Sequence, residues 1–280
     1  MPVKVFNRLI KGAAMLLSSM MFLSGCSAVG VAGTATDVLQ EKPEAKVEES
    51  REESSKEEKG YDASIAFLWV VDEEHSLSKT YEPADLSEIG NKQVLAEEAA
   101  ESYISMQRGM NIDGAGKLTI LQGYCSWEDQ EKLIAERSKY YRSQGYSASK
   151  AETFAQYDCG IPGASPYQTG LTVQVQLPDE NAQKWLNKYA AKYGFVVTFS
   201  ADTAVLRYVG ELHAGAMEQL GVEFDGYIKY LDMYKKCIFT WNGVDYQVEL
   251  VSGLSHSDPQ MVSVCSDNRG GYITITRLEA

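Results

Sequence analysis

The sequence is poor in histidine and has no local metal-binding signature. Its 280 residues include three histidines, His75, His213 and His256, in three separate segments. No Cys-x-x-Cys or His-x-x-x-His pair occurs among them, which argues against a thiolate zinc site. His75 precedes a turn, His213 opens a helical stretch and His256 lies among Ser and Asp, so each reads as a surface or capping residue. Positive charge is also scarce, with 26 Lys and Arg against 39 Asp and Glu, a formal balance of −13. No basic patch overrides that balance, which excludes a nucleic-acid partner and charge-driven adsorption on anionic lipid. The apolar run at residues 13–23 is too short for a transmembrane helix, which needs ~20 residues.

That short run has another use. Residues 1–25 carry Lys4, Arg8 and Lys11, then the apolar stretch, then Leu23-Ser24-Gly25 before Cys26, the layout of a signal peptide with a lipobox. Cys26 is therefore expected to become the lipidated first residue of an extracytoplasmic protein anchored to the bacterial cell membrane. Removing three basic and no acidic residues takes the formal charge from −13 to −16, so retention at the membrane falls to the lipid. Residues 26–60 are rich in Glu, Lys, Ser, Ala and Val with almost no aromatics. Such a segment cannot bury enough apolar area to offset its ordering entropy, and it reads as a flexible acidic linker.

Order is expected from about Tyr61. Residues 65–71, short, apolar and β-prone, suggest a buried strand. Residues 91–110 suggest a helix with Leu95, Ala99, Tyr103 and Met106 along one stripe. A strand follows at 118–121, and Ser126 is placed to cap a helix that includes Trp127, Ile134 and Tyr141 and stops near Gly145. Ser149 with Glu152 has the capping-box spacing for a further short helix. From Asp179 the positions Ala182, Trp185, Leu186, Tyr189, Ala190 and Tyr193 keep a helical period up to Gly194, and residues 195–199 form a strand. Helices at 213–220 and 224–234 precede four short strands. Two of these flank Asn242-Gly243, a type I′ hairpin signal.

Residues 163–175 are the centre of this layout, a turn feeding a strand. Leu171, Val173, Val175 and Leu177 occupy one face, and Thr172, Gln174 and Gln176 the other. Here the sequence resembles the VanY-type D-alanyl-D-alanine carboxypeptidases, zinc enzymes that trim cell-wall stem peptides. Their pattern Ser-x-His-x-x-Gly-x-Ala-x-Asp is echoed by Ser165, Gln168, Thr169, Gly170, Leu171 and Val173, with Tyr167 and Gln174 at its two metal-ligand positions. Three further stretches extend the resemblance over residues 65–235: Tyr81-x-Pro83-x-Asp85-Leu86, Gly123-Tyr124-x-Ser126 and Arg207-Tyr208-Val209-Gly210. In the second, Cys125 stands where the family has an Arg that helps to bind the substrate carboxylate. Counting back from the third puts Val205 at the remaining zinc ligand and Asp202 at the general-base Glu.

The resemblance implies an α+β fold, a small antiparallel sheet with flanking helices over residues 61–236, followed by a small all-β module at 237–280. It also implies a site without zinc, because Tyr167, Gln174 and Val205 do not make a ligand set, and Asp202 is left with no activated water to deprotonate. Tyr124, Cys125, Ser165, Tyr167, Gln168 and Arg207 are the candidate cleft residues. A cell-wall stem peptide or an envelope protein is the expected partner. An active zinc carboxypeptidase is the alternative, and a structural lipoprotein with a closed cleft is another. Cysteines 125, 159, 237 and 265 permit two disulfides in three connectivities. Cys125–Cys159 across the old site with Cys237–Cys265 in the β module is the preferred pairing, and buried unpaired thiols are the alternative.

Overall fold

The computed structural model describes residues 66–254 and 258–279. The signal segment, Cys26, the acidic linker and His256 lie outside the described residues. A hairpin of β1 (Leu86–Gly90) and β2 (Gln93–Ala96) leads into α1 (Glu97–Ile112), β3 (Thr119–Gln122), α2 (Trp127–Ser143) and α3 (Ala148–Cys159). Then come β4 (Thr172–Gln176), α4 (Glu180–Tyr189), β5 (Phe195–Ser200), β6 (Thr203–Tyr208), α5 (Glu211–Leu220) and α6 (Phe224–Tyr234). Four strands close the chain: β7 (Lys236–Trp241), β8 (Val244–Val251), β9 (Met261–Ser266) and β10 (Tyr272–Arg277).

The central sheet is antiparallel, in the order β3-β4-β6-β5. The alternation read from residue 171 onward decides its faces. Leu171, Val173, Val175 and Leu177 are buried with Ala204, Leu206, Tyr208 and Phe195 against α1 and α4. From those helices come Ala99, Tyr103, Met106, Met110, Ala182 and Leu186. Each such side chain withdrawn from water contributes about 1.5–3 kcal/mol if it is Val-sized or larger. The polar face of β4 and β6 is left to carry a site. Helix α4 is capped by Asp179, whose Oδ1 accepts from the backbone N–H groups of Asn181 and Ala182 at 2.8 and 3.1 Å.

The second sheet runs β7-β8-β10-β9, also antiparallel, and Asn242 (φ 50°) and Gly243 (φ 79°) make the tight turn between β7 and β8. Its inner face shares one hydrophobic cluster with α5 and α6, in which Met217, Tyr227 and Leu231 meet Phe239, Val248, Ile273 and Ile275.

Five local expectations are corrected. Residues 66–70 do not form a strand; Ala66–Leu68 is a 3-10 turn. This run is apolar because it threads between the two cores, with Ala66 in the first and Leu68 fully buried in the second. Its backbone polar groups are met by side chains: Asn268 accepts from the Val70 N–H at 2.9 Å and donates to the Val70 carbonyl at 2.7 Å, and Arg207 donates to the Trp69 carbonyl. Residues 91–96 are the turn and second arm of a hairpin, not helix. Asn91 and Lys92 take φ of 53° and 60°, and α1 begins only at Glu97. The cap of α3 is Ser147, which accepts from the Lys150 N–H, rather than Ser149.

His213 is neither a surface nor a capping residue. It is buried in the second core, with Nδ1 3.1 Å from the Tyr227 hydroxyl and Nε2 3.9 Å from Cys265 Sγ. Finally, Cys125, Cys159, Cys237 and Cys265 are free thiols, so neither preferred disulfide is formed. Cys237 and Cys265 lie on the two edge strands with β8 and β10 between them. Three strand spacings amount to about 14 Å, against the ~7 Å limit between Cα atoms for a disulfide.

Candidate functional site

The turn before β4 is built tightly. A 3-10 turn at Pro166–Thr169 ends on Gly170, whose φ of 72° is left-handed. Its N–H donates to the Tyr167 carbonyl at 3.1 Å, and its own carbonyl accepts from the Ala96 N–H at 2.9 Å. A Cβ here would also sit 3.0 Å from Ala96 N, so both conformation and space require glycine. Thr169 Oγ1 donates to the Pro166 carbonyl at 2.7 Å and accepts from the Leu171 N–H at 3.2 Å, which fixes the direction in which the strand leaves.

The polar face then brings several of the candidate positions together. Gln174 stands directly opposite Val205 on one side and Gln122 on the other. Gln122, Tyr124 and Cys125 line a cavity of about 430 Å³, closed by Asp129, Lys132, Leu133 and Glu136 of α2. Tyr167, Gln174 and Val205 are not among its lining residues; the Tyr167 carbonyl accepts from the Cys125 N–H at 3.4 Å. Burial pushes the Cys125 thiol up to about 11 and the Tyr167 phenol up to about 12, so both are neutral at physiological pH. The Tyr124 hydroxyl is buried without a hydrogen-bond partner among the described residues.

Other candidate residues lie elsewhere. Gln168 is buried; its Oε1 accepts from the Gly163 N–H at 3.1 Å and its Nε2 donates to the Ser78 carbonyl at 3.4 Å, so its amide ties backbone segments together. Ser165 is buried at the start of the same turn. Arg207 faces Thr172 and Val196 across the strands, with its guanidinium 3.5 Å from the centre of the Phe224 ring. Desolvation there lowers its pKa to about 10, and its Nε has no partner among the described residues. Asp202 is exposed at the far end of β6, where its carboxylate accepts from Gln176 Nε2 at 2.6 Å.

Asp129 and Lys132, an ion pair at 2.7 Å, are cavity residues that the sequence reading missed. Their signal is the spacing 129, 132, 133 and 136 on one face of α2, which is mostly polar and so does not stand out as an apolar stripe.

The donor set does not fit zinc. The metal requires imidazole, thiolate or carboxylate donors. Tyr167 offers a protonated phenol, Gln174 a neutral amide and Val205 no donor atom.

Comparison with known proteins shows what this fold is similar to. The family model "VanY: D-alanyl-D-alanine carboxypeptidase" matches residues 92–212. A D-alanyl-D-alanine carboxypeptidase of Enterococcus faecalis is 23% identical over 124 residues, 39% of this chain and 46% of that protein. One from Enterococcus faecium is 24% identical over 165 residues, 55% of this chain and 50% of the relative. The chain thus spans about half the length of the curated relatives it matches. Among solved structures, the vancomycin-resistance D,D-dipeptidase VanXYg, in complex with a D-Ala-D-Ala phosphinate analogue, has a TM-score of 0.59 at 15% identity, covering 76% of this chain and 94% of that one. The chain is a relative of the VanY-type D-alanyl-D-alanine carboxypeptidases.

Proposed function

We propose that this chain is a lipid-anchored cell-envelope protein that uses a D,D-carboxypeptidase fold to bind a cell-wall stem peptide without cutting it. One observation carries the reading: all three positions where the family holds zinc, Tyr167, Gln174 and Val205, have lost a competent donor. Peptide cleavage on this scaffold needs a metal-activated water, and Asp202, tied to Gln176, has none to deprotonate. The cavity beside Tyr124 and Cys125 remains large enough for a few residues of extended peptide.

Titration calorimetry of the full-length chain with an acylated peptide ending in D-Ala-D-Ala, run beside an assay for released D-alanine, tests this. Saturable binding with no release is expected. Multiple turnovers of D-alanine would restore the zinc carboxypeptidase. No binding at millimolar peptide would favour a structural lipoprotein whose cleft is closed, or one that takes an envelope protein instead.

A further inference from the structure

Helices α2 and α3 form an antiparallel hairpin that packs chiefly on itself. Gln130, Ala151 and Ala155 are the buried residues of the pair. Its distal half is aromatic. Tyr141, Tyr146 and Phe154 pack edge to face or tilted at ring separations of 5.1–5.9 Å, and Tyr140 adds a fourth ring 5.5 Å from Tyr141. Part of this cluster holds the hairpin together, yet it is not covered. Four of the five exposed aromatic side chains among the described residues are Tyr140, Tyr146, Phe154 and Tyr157; the fifth is Tyr234. Tyr157 is 79% exposed, three residues beyond Phe154 along the same side of α3.

The same half is basic in an acidic chain. Between residues 137 and 158, Arg137, Lys139, Arg142 and Lys150 are set against Glu152 and Asp158, a local balance of +2 in a protein of formal charge −13. Arg137 is engaged, 2.7 Å from Asp158 and lying over the Tyr140 and Tyr141 rings. Lys139, Arg142 and Lys150 are exposed and make no ion pair among the described residues.

We infer that the distal half of this hairpin is a binding site for an anionic polysaccharide, separate from the cleft. The faces of tyrosine rings carry negative charge density that attracts the weakly positive C–H groups on a sugar's face, and the free cations match carboxylate or phosphate substituents. Rings and cations interleaved on an exposed, polar surface fit a sugar polymer better than a bilayer. Helices that lie in lipid bury a face of Trp, Phe and Leu, whereas the exposed apolar side chains of this hairpin are three tyrosines with one Phe and one Leu. The acidity of the rest of the chain opposes every polyanion, and most strongly nucleic acid, which carries one negative charge per about 1.7 Å of duplex axis.

The test is titration of the full-length chain with polygalacturonate, with dextran, inorganic polyphosphate and vesicles of anionic phospholipid as comparison probes. Polygalacturonate is expected to bind, weakening steeply with salt, with dextran and polyphosphate each at least tenfold weaker. The triple charge reversal Lys139→Glu, Arg142→Glu, Lys150→Glu should lose binding tenfold or more. Tyr157→Ala, at a side chain too exposed to matter for folding, should weaken it severalfold, with helical circular dichroism unchanged in both variants. Absence of polygalacturonate binding, equal binding by the charge-reversed protein, or binding to vesicles and polyphosphate but not to polygalacturonate would overturn the inference.

Discussion

At the residue scale, His213 shows what a sequence conceals. It was legible as a helix-opening polar residue, and nothing local distinguishes a histidine at the surface from one beneath a second sheet. The structure buries it beside Tyr227 and Cys265, and desolvation lowers its pKa to about 3 from the ordinary 6.5. A buried neutral imidazole binds fewer protons than the unfolded chain does. Stability from this residue is therefore fully present above pH 6.5 and is lost as the pH falls toward 3, by up to about 1.4 kcal/mol per pH unit. Urea unfolding at pH 7, 5.5 and 4.5 should show that slope, and His213→Gln should flatten it. Equal slopes in the two proteins would remove His213 from the account. The positions of Tyr167, Gln174 and Val205 rest instead on the resemblance to the VanY-type motifs. The structure adds that Gln174 and Val205 stand face to face.

At the element scale, alternation and helical period located most strands and helices, and the failures have a common cause. The 65–71 run was apolar all round, a pattern that a buried strand and a segment wedged between two cores share. What separates them is where the backbone hydrogen bonds go, and here they go to Asn268, nearly two hundred residues away. Asn268→Ala should therefore leave the Val70 N–H and carbonyl unpaired and cost about 2 kcal/mol, read as a lowered urea midpoint with an unchanged slope. A cost below a few tenths would mean that water replaces the side chain. Leu95 belongs to the apolar stripe of α1 by spacing yet lies on β2, because the Asn91-Lys92 turn brings that strand back over the same core. Ser147 and Ser149 are alternative caps two residues apart, and sequence spacing favoured the wrong one because Glu152 completed a capping-box pattern that the helix does not use.

At the scale of the whole molecule, two antiparallel sheets are joined through α5 and α6, and the cavity lies between the end of β3 and α2. The fold class was legible because four ordered stretches of sequence matched one family. The cavity's α2 wall was not, because packing rather than any motif brings it there. Anchoring belongs to this scale too. Cys26→Ala should move the protein from the membrane fraction to the soluble fraction, and unchanged membrane association would exclude lipid as the tether.

The claim on which the functional reading turns is that the family's metal site has gone. Replacing Tyr167 and Val205 by His and Gln174 by Asp should supply an imidazole and carboxylate donor set and allow the variant to take up about one zinc per chain. The most direct measurement is the zinc content of the unaltered full-length chain, by elemental analysis after equilibration with excess zinc and dialysis. Essentially no retained zinc is the expected result. Close to one zinc per chain would contradict it and return the protein to the working carboxypeptidases.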